Sequence, residues 1–461
     1  MKQNRFKSEH KILKRPGWRD YQAKLKRSVL INTLSKRIIK YSSFLILTLI
    51  SFYLISGKLG GTVFNYSQKD YNRASKEQLS NTKLIDKNDI QALLDNQVFV
   101  NLKDKSFDAI VDGHKLRVNT SLDPCLQNYL QKKIDRSTSR YVGIVVMDPS
   151  TGRVLSMVSF DKTNPSNNPC IDNEFPAASI FKIVTAAAAI EKCGFNLNSK
   201  FSYNGGKYTL YKSQLKNKTN KYTNRITLKD SFAQSVNPVF GKIGEHHLGK
   251  NNLEEYALAF GFNRKIGFEI PFSPSFISLS DDPYQWAEIA CGFNHETTMS
   301  PLHGAVISSA ILNQGRMIEP TIVDQIIDGN GHTIYRSHLV AMNRAITSES
   351  SDMINRLMRA SVRSGTCSKV FRGCRTDHIL SKLNIGGKTG SMGTKKHDGR
   401  YDWFVGFAEE KEGSGKLVIS VIVTHEKYIG IRAGQYARMA IKQYFRDYFA
   451  KNEAELEKAS G

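Results

Sequence analysis

The sequence predicts an α+β fold in which an antiparallel β-sheet packs against helices. Two pairs of β-rich runs, one early and one late in the chain, and the helical segments between them carry that prediction. The early pair is "YVGIVVMDPSTGRVLSMVSF" (141–160), two apolar β-branched runs around turn-forming residues 148–152. An Ala-rich helix follows in "AASIFKIVTAAAAIEKCG" (177–194), with Gly194 placed to end it. Polar, loop-rich sequence comes next, then helical segments through 231–315. "IGGKTGSMGT" (385–394) reads as a strand, and the late pair, "YDWFVGFAEE" (401–410) and "GKLVISVIVTHE" (415–426), flanks a turn at 412–415. An amphipathic helix from about 434 to 458 closes the pattern, and no internal repeat is visible.

The 461 residues, 40% of them hydrophobic, suffice for one large domain with additions. Net charge is +24, and the first forty residues hold thirteen Lys/Arg against Glu9 and Asp20. A basic arm can signify nucleic acid, but here "IIKYSSFLILTLISFYLI" (38–55) follows it. Eighteen helical residues span roughly 27 Å, close to the hydrocarbon thickness of a bilayer. Lys36, Arg37 and Lys40 on the N-terminal side orient the span with its arm in the cytoplasm. A cleaved signal peptide fits less well, because its basic region would be overlong and no small-residue cleavage site follows. The expected organisation is therefore a cytoplasmic arm (1–37), a transmembrane helix (38–55), a juxtamembrane stalk or small accessory region (56–115), a main domain (116–450) and a C-terminal tail (451–461). Nearly half of the net charge precedes the span, which argues for a topology and anionic-lipid signal and against a nucleic-acid binder.

Six cysteines show no C-x-x-C pair and no zinc-like spacing. Cys367 and Cys374 are near enough in sequence to staple a loop; Cys125, Cys170, Cys193 and Cys291 read as buried thiols. Glu245, His246 and His247 lack a partner cluster and read as surface residues, so no metal is expected. Trp403 and Phe404 read as core strand residues. Tyr and Phe are plentiful, yet no interleaving with basic residues is expected to matter.

Ser179 and Lys182 interrupt the apolar start of the Ala-rich helix, three residues apart on one face. A serine hydroxyl needs an adjacent base to become a nucleophile. Lysine serves when desolvation and the positive end of a helix lower its pKa. Alone, this pair is equally a capping serine and a snorkelling lysine. Ser235 and Asn237, in "SFAQSVNPVFGKIG" (231–244), are alone a turn or cap. "GGKTGS" (386–391), containing Lys388, Thr389, Gly390 and Ser391, is alone a charged strand edge with a bulge.

Together, in this order and with gaps of 56 and 153 residues, Ser-x-x-Lys, Ser-x-Asn and Lys-Thr-Gly form the motif set of serine β-lactamases and penicillin-binding proteins. The chain resembles the penicillin-binding transpeptidase family over about 116–447. "SLDPCLQNYL" (121–130), "GRVLSMVS" (152–159), "CGFNHETTMSPLHGAVISSAILNQG" (291–315) and "YDWFVGFA" (401–408) extend the likeness. The resemblance implies an all-helical subdomain beside the sheet and no cofactor. It implies that Ser179 is the acylated nucleophile, Lys182 its base, and Ser235 a proton relay to the leaving amine. Asn237 would bond the peptide substrate, Lys388 and Thr389 would grip its terminal carboxylate, and Gly390 would permit close approach. Backbone N–H groups of Ser179 and Ser391 would form the oxyanion hole.

Acyl transfer to an amine would make this a peptidoglycan D,D-transpeptidase, inhibited by penicillin and other β-lactams. Transfer to water would make a D,D-carboxypeptidase or a β-lactam hydrolase. No Glu lies four residues before an Asn in 235–388, and Ser-Val-Asn departs from Ser-Asp-Asn, both against a class A β-lactamase. Asn237 argues against class D. A non-catalytic penicillin sensor or scaffold is weakened by the complete set of catalytic side chains. The expected partners are stem peptides, β-lactams, the bilayer and a separate membrane glycan polymerase. The expected location is a bacterial cytoplasmic membrane with the catalytic domain outside.

Overall fold

The computed structural model describes residues 85–460. The expected arm (1–37), transmembrane helix (38–55) and first half of the stalk lie outside the described residues. Among those described, no helix is long and apolar enough to cross a membrane.

The expected sheet is present as five antiparallel strands. Strands β3 (Ser139–Met147) and β4 (Val154–Asp161) are the early hairpin; β11 (Leu383–Gly393), β12 (Arg400–Glu410) and β13 (Lys416–His425) are the late strands. Their order is β11-β12-β13-β3-β4, so the two hairpins join through β13 and β3, and β11 forms one edge. Alternation along these strands fills two cores, one on each face. In β3, Val142, Ile144 and Val146 face the side covered by helices α2 (Pro124–Lys133) and α10 (Ala433–Ser460). Val145 and Met147 face the other core, built on α8 (Pro301–Leu312) and α9 (Ser348–Ser364). The strands thus read as continuous apolar runs because both faces are dry. The helix α10 runs unbroken through the stretch expected as a tail.

Beside the sheet stand the helices α3 (Lys182–Cys193), α4 (Leu228–Ala233), α5 (Asn237–Lys242), α6 (Gly249–Ala259) and α7 (Pro283–Cys291), which form the helical part. Gly194 ends α3 in the left-handed region, at φ 66°.

The boundary expected near 116 falls inside a strand. Residues 85–115 contribute α1 (Lys87–Leu93), opened by a capping box on Asp86, and β1 (Ser106–Val111). Strand β1 pairs with β2 (His114–Thr120), β2 with β8 (Val323–Asp328), and β8 with β9 (Thr333–Arg336), a second sheet of four strands. Ile90 and Phe99 are buried in the common core, and Lys87 Nζ reaches Glu319 at 3.1 Å. This part of the expected stalk is integral to the fold, because β1 pairs with β2, which is itself paired with β8 some two hundred residues downstream.

The expected staple is absent: Cys367 and Cys374 are separate free thiols. Cys367 is buried against the same core as Phe371 and Phe404, an apolar site that suits an inert thiol. Of the other four, Cys170 and Cys291 are buried, whereas Cys125 is exposed and Cys193 half-buried.

Phe407 on β12 is fully buried and roofs Gly386 on β11, where an added Cβ would meet the ring at 2.3 Å. Replacing Phe407 by Ala leaves a cavity under the edge strand and is expected to cost about 3–5 kcal/mol. Chemical denaturation of the folded chain should show the midpoint moving down accordingly.

Candidate active site

The Ala-rich helix begins with a tighter turn than the sequence suggests. Residues Ala178–Phe181 form a 3₁₀ turn, and α-helical geometry starts at Lys182. Ala178 holds a left-handed backbone, φ 47°, a conformation that costs a non-glycine residue about 1–2 kcal/mol. Around it the structure is tightly fitted. Gly292, which ends α7 at φ 67°, has no room for a side chain: a Cβ would fall 1.9 Å from the Ala178 carbonyl oxygen. Trp403 on β12 donates from Nε1 to the Pro176 carbonyl at 2.8 Å. The turn that carries Ser179 is therefore pinned between α7 and the sheet.

Lys182 is wholly buried, and its Nζ meets three oxygens: Ser179 Oγ at 2.8 Å, Asn237 Oδ1 at 2.8 Å and the Cys291 carbonyl at 2.5 Å. Two of these can only accept, because Asn237 is oriented by donating from Nδ2 to the Tyr208 carbonyl at 3.0 Å. As an ammonium, Lys182 donates to all three. As an amine, it keeps the bonds to Asn237 and Cys291 and turns its lone pair to the Ser179 hydroxyl. Complete burial, beside the Phe240 ring 5.6 Å away, lowers its pKa to about 8. A lysine so placed is neutral in an appreciable fraction of molecules near neutral pH, and in that form it can act as a base.

Ser235 sits at the turn between α4 and α5 with φ 57°, and its Oγ accepts from Lys388 Nζ at 3.0 Å. Lys388 is fully buried in mid-β11, over the Phe232 ring at 5.7 Å. Burial, augmented by the charge of Lys182, pushes its pKa well below the ordinary lysine value. Thr389 shares a 2.6 Å hydroxyl–hydroxyl bond with Thr366. Gly390 touches the turn that carries Ser179: an added Cβ would stand 3.3 Å from both Ala178 Cβ and Ile180 Cγ1. Ser391 is exposed, and its Oγ accepts from Arg400 Nε at 2.6 Å.

The three motifs, far apart in sequence, converge. Ser179, Ser235, Asn237, Thr389 and Ser391 line one groove of about 630 Å³, with Lys182 and Lys388 buried beneath it. The arrangement can activate a hydroxyl, shuttle a proton from a second hydroxyl, and present a cationic strand edge to an extended anionic peptide.

Sequence reasoning did not find Thr366, Arg400, or the Cys291 and Tyr208 carbonyls. It also passed over "KYTLYKSQLKNKTNKY" (207–222), where Lys and Tyr do interleave and which reaches the groove through Lys207 and Tyr208. Trp403 and Phe404 are fully buried, as the strand reading expects, though Phe404 also borders the groove. His246 and His247 are exposed, the former bonded to the Leu215 carbonyl and the latter edge-on to Phe195. Among the described residues no cluster could hold a metal ion.

Fold and site together set the Ser179 hydroxyl against the buried Lys182 amine, with the Ser235–Lys388 pair in the same groove. The sequence matches the family model of the penicillin binding protein transpeptidase domain over residues 142–445, and the chain belongs to that family. Among curated relatives, stage V sporulation protein D of Bacillus subtilis is 26% identical over 357 residues, covering 72% of this chain and 53% of the relative. Peptidoglycan D,D-transpeptidase PbpA of Mycolicibacterium smegmatis is 22% identical over 322 residues, 61% of each chain. The chain thus spans about half the length of the curated relatives it matches. Among solved structures, the D,D-transpeptidase domain of a peptidoglycan glycosyltransferase from Eggerthella lenta superposes with a TM-score of 0.59 at 22% identity, covering 77% of this chain and 86% of that one. An imipenem acyl-enzyme complex of penicillin-binding protein A from M. tuberculosis gives 0.57 at 19% identity, covering 71% and 79%.

A base with a pKa near 8 is protonated below that value and then has no lone pair for the Ser179 proton. The rate of acylation by a chromogenic β-lactam should therefore rise with pH and level off above about 8. Below that plateau the rate should fall roughly tenfold per pH unit.

Proposed function

We propose that this chain is a peptidoglycan D,D-transpeptidase that cross-links stem peptides through an ester on Ser179. The observation that carries the reading is the Lys182 Nζ–Ser179 Oγ bond at 2.8 Å, set in one groove with the Ser235–Lys388 pair. The donor peptide lies along the free edge of β11, its terminal carboxylate on Thr389 and over Lys388. An arriving carboxylate favours the ammonium form of the buried Lys388, which burial otherwise disfavours, so recognition and charge pairing coincide.

Ser179 Oγ then attacks the last peptide carbonyl while its proton passes to Lys182. The N–H groups of Ser179 and Ser391 hold the oxyanion. Collapse breaks the C–N bond, and the leaving amine takes its proton through Ser235, leaving the acyl-enzyme. An acceptor amine attacks the ester, the new amide forms, and the hydrogen returns to Ser179. Asn237 holds Lys182 in line and has a second amide hydrogen to offer the substrate backbone. A β-lactam mimics the donor and stops at the ester.

Anchoring through 38–55 with the catalytic domain outside a bacterial cytoplasmic membrane belongs to the same proposal, supported by the apolar run and its basic flank. A substrate fixed beside the membrane favours an anchored enzyme, and a separate glycan polymerase would supply its strands.

Fluorescent penicillin should label the chain, and mapping by mass spectrometry should place the adduct on Ser179. Ser179→Ala should abolish labelling, and Lys182→Ala should slow it by about 10²–10⁴. Given a stem-peptide donor, product should shift from free acid to amide as an amine acceptor is added. Undiminished labelling of Ser179→Ala would refute the reading.

A further inference from the structure

Between β5 (Lys200–Tyr203) and β6 (Asn224–Thr227), two short antiparallel strands, the chain makes an excursion over 204–223. It contains Lys207, Lys212, Lys216, Lys218 and Lys221, and no acidic residue occurs from 204 to 229. None of the five lysines forms an ion pair among the described residues. Its tyrosines are turned to solvent: Tyr208 is 56% exposed, Tyr211 61% and Tyr222 74%. Lys207 and Lys221 lie over the rings of Tyr208 and Tyr222, each 5.1 Å from the centroid, so open rings and cations without carboxylate partners stand together on this surface, an uncommon combination where nothing binds.

The excursion is a built structure. Gln214 is buried at its centre, donating to the Asn204 and Gly206 carbonyls and accepting from Tyr211 N and Thr209 Oγ1. Leu210 and Leu215 are buried over Gly241 on α5, where a Cβ would meet them at 2.7 and 3.0 Å. Tyr284 on α7 donates to the Leu210 carbonyl. The platform is also tied to the catalytic groove. Asn237 donates from its backbone to the Lys207 carbonyl at 2.7 Å and from its side chain to that of Tyr208, and both residues line the groove. Whatever lies across the excursion continues directly into the site.

We infer that segment 204–223 is a docking platform for the saccharide strand that bears the donor peptide, its open tyrosines stacking on sugar rings and its lysines facing carboxylates along the strand. The inference rests on the transpeptidase reading of the groove. Sugar rings present flat C–H faces that match the electron-rich face of an aromatic ring, and a stem-bearing strand carries repeated carboxylates. Each lysine contact is weak by itself at an exposed site, so the lysines act as a set and their share is screened by salt. The rings supply the part of the binding that salt leaves intact.

Cosedimentation of the full chain in detergent with purified insoluble cell-wall peptidoglycan tests this, with fluorescent-penicillin labelling measured in parallel. The basic arm at 1–40 is common to all variants, so it cancels in their ratio. Two variants avoid the groove-lining residues: Lys212→Ala/Lys216→Ala/Lys218→Ala/Lys221→Ala, and Tyr211→Ala/Tyr222→Ala. Each should weaken wall binding about tenfold, equivalent to about 1.4 kcal/mol, with the labelling rate unchanged. The loss from the lysine set should shrink in high salt, and the loss from the tyrosine set should persist. Unchanged binding by the tyrosine variant, or displacement by DNA as effective as by soluble wall fragments, would overturn the platform. Normal labelling certifies folding; should a multiple variant lose it, Tyr222→Ala alone provides the same comparison. Absence of labelling in the unaltered chain would instead sink the transpeptidase reading, whatever the sedimentation shows.

Discussion

Burying the Lys182 amine is the constraint around which the rest of the site is arranged. An ammonium removed from water loses several kcal/mol of solvation, and the protein recovers it only through well-placed oxygens. Three are present, from the 3₁₀ turn, the head of α5 and the tail of α7. Each comes from a different element, so the amine fixes the relative placement of all three. Tyr208 holds the Asn237 amide, Gly292 lets the α7 terminus close on Ala178, and Gly390 lets β11 press on the same turn. Loosening any one of them would hydrate the amine and return it toward an ordinary, protonated lysine.

A second buried lysine follows from the first. Lys388 stands on the sheet edge with Ser235 and a backbone carbonyl as partners, and no carboxylate pairs with it among the described residues. Two desolvated cations facing one groove are costly together, and that cost is lowest when Lys182 is neutral and an anion lies over Lys388. The groove is therefore electrostatically prepared to receive an anion over Lys388. The wide groove and its cationic edge distinguish it from a pocket for a small apolar ligand.

Much of this was legible in the sequence because it is written locally. The β-hairpins are continuous apolar runs with turn residues between them, four strands of the main sheet appear where such runs occur, and β11 appears at the glycine-rich stretch read as a strand. Ser179 with Lys182, Ser235 with Asn237, and 388–391 are short strings whose order is visible without a structure. What escaped depends on distance along the chain or on the backbone. Residues 85–115 look like a polar stalk until β2 finds β8, and Cys367 and Cys374 look like a staple until the core claims one of them. The carbonyls of Cys291 and Tyr208 could belong to any residue type, so no pattern announces them. Thr366 meets Thr389 only through the packing of α9 against β11.

Direct titration of the Lys182 side chain gives the sharpest test of the whole arrangement. Lysine labelled with ¹³C next to Nζ, its resonance assigned by comparison with Lys182→Arg, reports the charge of that amine as pH is raised. A midpoint near 8 would show that burial holds the amine ready to take the Ser179 proton. A midpoint at the ordinary lysine value of about 10.4 would mean a solvated, charged amine and no base beside the serine.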